Sequence, residues 1–427
     1  MRFLTILICG CFCFAQAGWA DVSEQRVDEL TNEVRLLRQV VDELHSTVKA
    51  QATRIAELET GRPQLATAAA SSPTTAQAGA WPRQAVGSLS AFNPEIGVLA
   101  DIVAQSSESS AEGEGNDKLS AREVELVFGH PIDPYSRLDA TITFSDFEAA
   151  SLEEAYITHW GLPGEVKARV GRLRPKIGKA SPLHRDSLET VDEPLVVSSY
   201  FGAEGLSRSV VEFSNFLPLP WDAVTHELIG GVMEGGVGEG GALFGATRRR
   251  PSFYAHLKNF WDLSDASNVE LGATYLLGSK DADAAYEVNA LGLDATLVHY
   301  LTPTNKLKFQ NEVYLQSRKE SFNIAEDGTR TNFSKYPWGW YSLLDYRVSP
   351  RIGVGGRFDY VEPIDLAPAR RARPGDTAWS GYLTFYQSEF ARWRMQYRHT
   401  NFAAGGDDNA VLLQGTVAIG VHKHQLQ

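Results

Sequence analysis

Phe390-Ala391-Arg392-Trp393-Arg394-Met395-Gln396-Tyr397-Arg398-His399-Thr400 reads as two interleaved sets of residues. Trp393, Met395 and Tyr397 fall on one face; Arg392, Arg394, Gln396 and Arg398 fall on the other. A β-strand sends successive side chains to opposite sides, so this stretch predicts a strand with one apolar and one basic surface. The same period of two recurs at 410–421, where Val411, Leu413, Gly415, Val417, Ile419 and Val421 oppose Gln414, Thr416 and Gly420. At 137–145, Leu138, Ala140, Ile142 and Phe144 oppose Asp139, Thr141, Thr143 and Ser145.

Working outward, about sixteen such segments fill the chain from residue 95. They lie near 95–105, 121–130, 137–145, 152–160, 165–174, 208–217, 223–233, 252–261, 268–278, 286–300, 306–318, 337–348, 351–360, 377–387, 390–400 and 410–421. Tight reversals, often with proline, alternate with longer polar loops. The reversals are Ile132-Asp133-Pro134-Tyr135, Gly161-Leu162-Pro163-Gly164, Leu217-Pro218-Leu219-Pro220, Leu263-Ser264-Asp265-Ala266, Thr302-Pro303-Thr304-Asn305, Ser349-Pro350 and Gln387-Ser388-Glu389. An up-and-down barrel crossing a membrane has that rhythm, with short turns on the periplasmic side and long loops on the other. A soluble sandwich shares the period of two. The barrel is favoured because the strands run to about ten residues and because Trp160, Trp221, Trp261, Trp338, Trp340 and Trp379 sit near strand ends, where a barrel carries its aromatic girdles. The expected fold is therefore all-β: a transmembrane antiparallel barrel of about sixteen strands over 92–427, preceded by a helical coiled coil.

The N-terminal residues predict export. Arg2, an apolar run over 3–14, and then Ala15-Gln16-Ala17 and Gly18-Trp19-Ala20 form a signal peptide cleaved before Asp21. Ile8-Cys9-Gly10 before Cys11 leaves a lipoprotein signal as the alternative reading. All three cysteines (Cys9, Cys11 and Cys13) lie in this segment, so the mature chain forms no disulfide. A net charge of −13 argues against nucleic acid as a partner. No later run is apolar enough for a membrane-spanning helix, a test that barrel strands escape because they show lipid only every second residue.

Val27, Leu30, Val34, Leu37, Val41, Leu44, Val48, Gln51, Ile55 and Leu58 step by three and four, which predicts a coiled coil over 21–60. The alternative is a single amphipathic helix on the protein's own surface. Branched residues at one core position with leucine at the other favour two strands. Val40 and Leu36 widen the stripe and suit three. The stretch 61–91 begins rich in Ala, Thr, Ser, Pro and Gln and reads as a flexible linker.

If the apolar faces meet lipid, the opposite faces line water. Lys167, Arg169, Lys306, Lys308, Arg357, Arg392, Arg394 and Arg398 would then line an anion path, since a basic lining within a low-dielectric wall concentrates anions. In the alternative these cations pair with Asp345, Asp359, Glu312 and Asp294 and leave a neutral lumen. The longest connection, about 175–207, carries Lys176, Lys179, His184, Arg185, Asp186, Glu189, Asp192 and Glu193 beside apolar Leu195, Val196 and Val197. It is the candidate constriction, unless it lies outside as a lid or meets a neighbouring subunit. The glycine-rich run 235–245 reads as an outer loop, and His422 and His424 as inert tail residues rather than metal ligands. No catalytic constellation stands out, so the expectation is no enzyme, no metal and no cofactor.

Val170-Gly171-Arg172-Leu173-Arg174-Pro175-Lys176-Ile177-Gly178-Lys179 resembles the strand-to-loop segment of phosphate-selective-type porins. His184, Asp192-Glu193-Pro194 and Phe201-Gly202-Ala203-Glu204-Gly205-Leu206 are similar to its continuation in uncharacterised outer-membrane relatives. The resemblance covers about forty residues. It implies a sixteen-stranded, trimeric, passive channel of a Gram-negative outer membrane, with the coil trimeric in the periplasm as in sugar-selective porins. Two departures stand out: the cation array is sparser and mixed with acids, and the chain ends His422-Lys423-His424-Gln425-Leu426-Gln427 without a terminal Phe. The function expected is diffusion of small hydrophilic solutes with a preference for anions. The rival is a structural protein whose coil tethers the membrane to peptidoglycan.

Overall fold

The structure, a computed structural model, describes residues 94–108, 117–146, 148–219, 221, 223–235, 243–244, 250–280, 286–324, 330–364 and 372–420. The signal segment, the coil core at 27–58, the linker, His422 and His424 lie outside the described residues.

Alternating sequence becomes strand throughout. β1 (Glu95–Ser107), β2 (Asp117–Asp133), β3 (Ser136–Phe144), β4 (Ser151–His159) and β5 (Lys167–Leu173) precede the longest connection. β6 (Arg208–Phe216), β7 (Val224–Met233), β8 (Ser252–Ser264), β9 (Ser267–Ser279), β10 (Glu287–Tyr300) and β11 (Lys306–Ile324) follow it. The circuit ends with β12 (Arg330–Lys335), β13 (Trp338–Ser349), β14 (Ile352–Val361), β15 (Asp376–Ser388), β16 (Ala391–Asn401) and β17 (Asp407–Gly420). Each strand pairs antiparallel with its neighbours. The sheet closes on itself through β1 and β17, from Gly97 opposite Gly420 to Ser107 opposite Ala410.

β12 and β13 both pair with β11, over its far and near halves respectively. Pro337 has no N–H to donate and interrupts the ladder; its carbonyl accepts from Gln316 N at 2.9 Å and carries the pairing across the gap. Counted as one stave, they make a closed antiparallel barrel of sixteen strands. The tight turns fall at the proline-rich reversals, such as 134–135 between β2 and β3 and 350–351 between β13 and β14.

The two faces of each strand separate as alternation demands. On β16, Trp393 is 51% exposed on the outer wall while Arg394, one residue on, is 3% exposed inside. Ile352, Val354, Leu383, Phe385, Leu413 and Val417 continue the apolar exterior. Trp160, Trp221, Trp338 and Trp379 are exposed near strand ends. An uncovered apolar surface of this extent is stable only against acyl chains.

The interior departs from a plain wet lumen. Val210, Ile229, Tyr254, Leu276, Val288, Ala290, Tyr314, Tyr341, Leu343 and Val361 all turn inward from the wall and are buried. Their partners are Leu173, Ile177, Leu188, Val196, Val197, Tyr200, Phe201 and Leu206, which belong to the connection at 174–207 or its edges. Water lining was expected on every inner face. On this side of the barrel the connection takes the water's place, because burying apolar side chains against each other removes them from solvent.

Candidate functional site

The connection leaves β5 at Leu173 and crosses the barrel interior. Arg174 guards its root. The Arg174 guanidinium donates to Glu153 Oε1 at 3.1 Å and to the Leu183 carbonyl at 3.0 Å, and it reaches the Glu204 carbonyl as well. One side chain thereby ties outgoing and returning chain to β4. A bulge in the β3–β4 pairing between Thr141 and Ile142 turns both Glu153 and Glu154 inward, an effect ordinary alternation forbids.

Farther in, Glu312 on β11 receives the connection. Its carboxylate accepts from Lys179 N and Ala180 N, each at 3.2 Å, and from the Tyr314 and Tyr341 hydroxyls at 2.7 and 3.0 Å. Gly178 N donates to Thr274 Oγ1 at 3.3 Å. Gly178 holds φ at 59°, and a Cβ there would collide with the Glu312 carboxylate. Lys179 Nζ pairs with Glu270 on β9, and burial lowers its ammonium to about 8.

The far end docks on β14 and β16. Asp192 Oδ1 accepts from Arg357 at 3.0 Å and from Gln396 Nε2 at 2.8 Å, and Asp192 Oδ2 accepts from Arg398 at 2.5 Å. Arg357 also donates to Asp359 at 2.7 Å, and Asp359 Oδ1 accepts from Leu195 N at 3.0 Å at the start of helix α1 (Leu195–Phe201). Val191 N donates to Gln396 Oε1 at 2.6 Å, and Arg394 donates to the Thr190 carbonyl at 2.8 Å. Burial alone would raise the Asp192 carboxyl, but Arg357 and Arg398 outweigh it and hold it at about 2. The neighbouring Glu193 lacks such pairs, and burial pushes it up to about 7.

The cations expected along an open path thus divide. Arg169, Arg357, Arg392 and Arg394 do point inward, but they are buried as anchors rather than wetted. Arg169 binds Glu212 and Arg392 binds the Asp186 carbonyl. Lys167, Lys306, Lys308 and Arg398 keep partial exposure. Among the described residues, the alternative pairing is realised for Arg357 with Asp359. Lys308 goes instead to Glu189, and Glu312 serves the connection. Of the six constriction candidates, Asp192, His184, Asp186 and Lys179 are bound into the interior. Arg185 pairs with Glu204, and Lys176 donates its N–H to Glu212.

Glu312, Glu153 and Gln396 are the residues that sequence reasoning missed as anchors. A carboxylate on the inner face of a strand otherwise carrying Val313, Tyr314 and Leu315 was the available signal. Both signs of charge occur toward each end of the barrel, with Glu270 and Asp345 toward the short turns and Arg174 and Arg398 toward the long loops. Lys167, Lys258, Lys306 and Arg347 also lie toward the short turns, and Glu123, Glu125, Glu153 and Glu154 toward the long loops.

No family model matches the chain. An uncharacterized protein of Aquifex aeolicus (strain VF5) is 27% identical over 335 residues, 73% of this chain and 71% of that one. Among solved structures, Pseudomonas putida OprB aligns with a TM-score of 0.51 at 9% identity, over 77% of this chain and 94% of its own. Salmonella typhi OmpF aligns with a TM-score of 0.51 at 8% identity, over 76% and 97%. Both are outer-membrane porins. The fold is that of a porin barrel.

Proposed function

We propose that the chain is an outer-membrane porin through which small hydrophilic solutes diffuse passively, anions in preference to cations. The observation that carries this reading is the connection at 174–207, which lies inside a closed barrel, anchored to β4, β9, β11, β14 and β16; in this reading it is the constriction. On the turn side of that constriction Lys167, Lys306, Lys308 and Arg347 stay partly exposed within a low-dielectric wall, which favours anionic solutes and supports a phosphate-like class. The N-terminal coil, trimeric and periplasmic in this reading, joins three barrels. Passive diffusion needs no cofactor.

The test is planar-bilayer recording in a salt gradient. The expected result is a stepwise conductance with a reversal potential of anion sign. A cation-sign potential overturns the preference, and a silent bilayer overturns the channel. Deleting 180–197 should raise the unit conductance; an unchanged step rejects the constriction.

A further inference from the structure

One cluster in the interior is not used by the anchoring scheme. We propose that Glu125, His184 and Asp186 form a binding site for a divalent transition-metal cation, joining the root of the inner connection to the barrel wall. Glu125 projects inward from β2, and His184 and Asp186 sit in the 3-10 turn at Arg185–Ser187 and its cap. One ligand atom from each lies within 4.8 Å of the other two. The His184 ring stands 3.5 Å from Glu125 and 3.2 Å from Glu153 through Nδ1, while Nε2 faces Glu154 at 3.3 Å. A carboxylate behind the ring is how metal-bound imidazoles are commonly oriented.

Several buried carboxylate oxygens here lack a hydrogen-bond donor, with the His184 ring as the cation among them. Asp186 is 1% exposed and Glu125 is 2% exposed, yet Asp186 Oδ1 and Glu125 Oε1 have no hydrogen-bond partner. Glu153 Oε2 is in the same condition, and Glu123, Glu125 and Glu153 form a second converging set beside the first. Buried oxygens in this state are costly unless paired or metal-bound. Arg174 is spent on Glu153 and main-chain carbonyls, and Arg392 reaches the Asp186 carbonyl rather than its carboxylate. One imidazole with carboxylates is a borderline donor set, which suits Zn²⁺ or Co²⁺ better than Mg²⁺. A cavity of about 270 Å³, lined by Glu123, Glu148, Glu153, Arg172 and Glu204, shares Glu123 and Glu153 with the second set.

The full-length, untagged protein is purified in detergent, stripped with chelator and titrated with Zn²⁺, Co²⁺ and Mg²⁺ by calorimetry and absorption. Expected are one Zn²⁺ per chain, Co²⁺ ligand-field bands, little response to Mg²⁺ and a higher Tm. Glu125→Gln and Asp186→Asn should each weaken Zn²⁺ by about tenfold or more, with heat-modifiable electrophoretic mobility reporting that the barrel is folded. A His422→Ala/His424→Ala double variant should bind as the parent does. Absence of Co²⁺ bands in the folded parent overturns the site. So does binding lost only in the tail variant. Conductance of the stripped protein tests the channel separately.

Discussion

At the scale of single residues, Gly178 and Glu312 are mutually dependent. The left-handed φ of 59° costs a non-glycine residue about 1–2 kcal/mol, and the added methyl also meets the carboxylate. Gly178→Ala should therefore lower the melting temperature in detergent and raise conductance together; a variant with parental values for both refutes the pin. Asp192 and Glu193 make opposite contributions with pH. Asp192 faces Arg357, Arg398 and Gln396 and is held at about 2, so its stabilisation is complete above the ordinary carboxylate value of about 4 and fades as pH falls toward 2. Glu193 faces Arg174, Arg185, Arg357 and Asp192 and is raised to about 7, so its contribution is full below about 4 and lost as pH rises through 7. Melting from pH 5 to 8 should show stability falling, and Glu193→Gln should flatten that fall. A parental curve in that variant would contradict the assignment. None of these roles was legible in the sequence, because Asp192 and its partner Arg398 are 206 positions apart.

At the scale of elements, strand positions were readable because alternation and proline turns are local signals. The inner course of 174–207 was not, yet a clue was present. In β10, Leu291 and Leu293 face outward while Val288 and Ala290 face inward. A strand apolar on both faces requires an apolar neighbour inside as well as lipid outside. Val288 and Ala290 share one buried cluster with Val196, Val197, Tyr200 and Phe201 of helix α1, which packs on β13 and β14. Phe201 meets the Tyr314 ring edge-on at 4.8 Å. Val197→Asp places an unpaired charge in this cluster at a cost on the order of 3–5 kcal/mol. Limited proteolysis should then cut within 180–200 while the barrel stays intact, and protection equal to the parent's would argue against a docked helix.

At the scale of the molecule, Lys167, Lys258, Lys306 and Lys308 stand partly exposed toward the short turns of the barrel. Lys308 is tied to Glu189, and Lys306→Glu/Lys308→Glu should move the reversal potential toward cations at low salt and less so at high salt. An unmoved potential would place the selectivity elsewhere. The barrel class was legible from the first alternating strand; which cations stay exposed was not, because that depends on which inner residues the connection covers. Asp101 on β1 accepts from Gln414 and Thr416 on β17, at 2.8 and 3.1 Å, so the first and last staves are hydrogen-bonded neighbours. The circle is complete only once residues 407–420 have been delivered, and until then two raw edges invite pairing with any other extended chain. A polypeptide lacking its final stave would accordingly be an aggregation hazard rather than a narrower barrel.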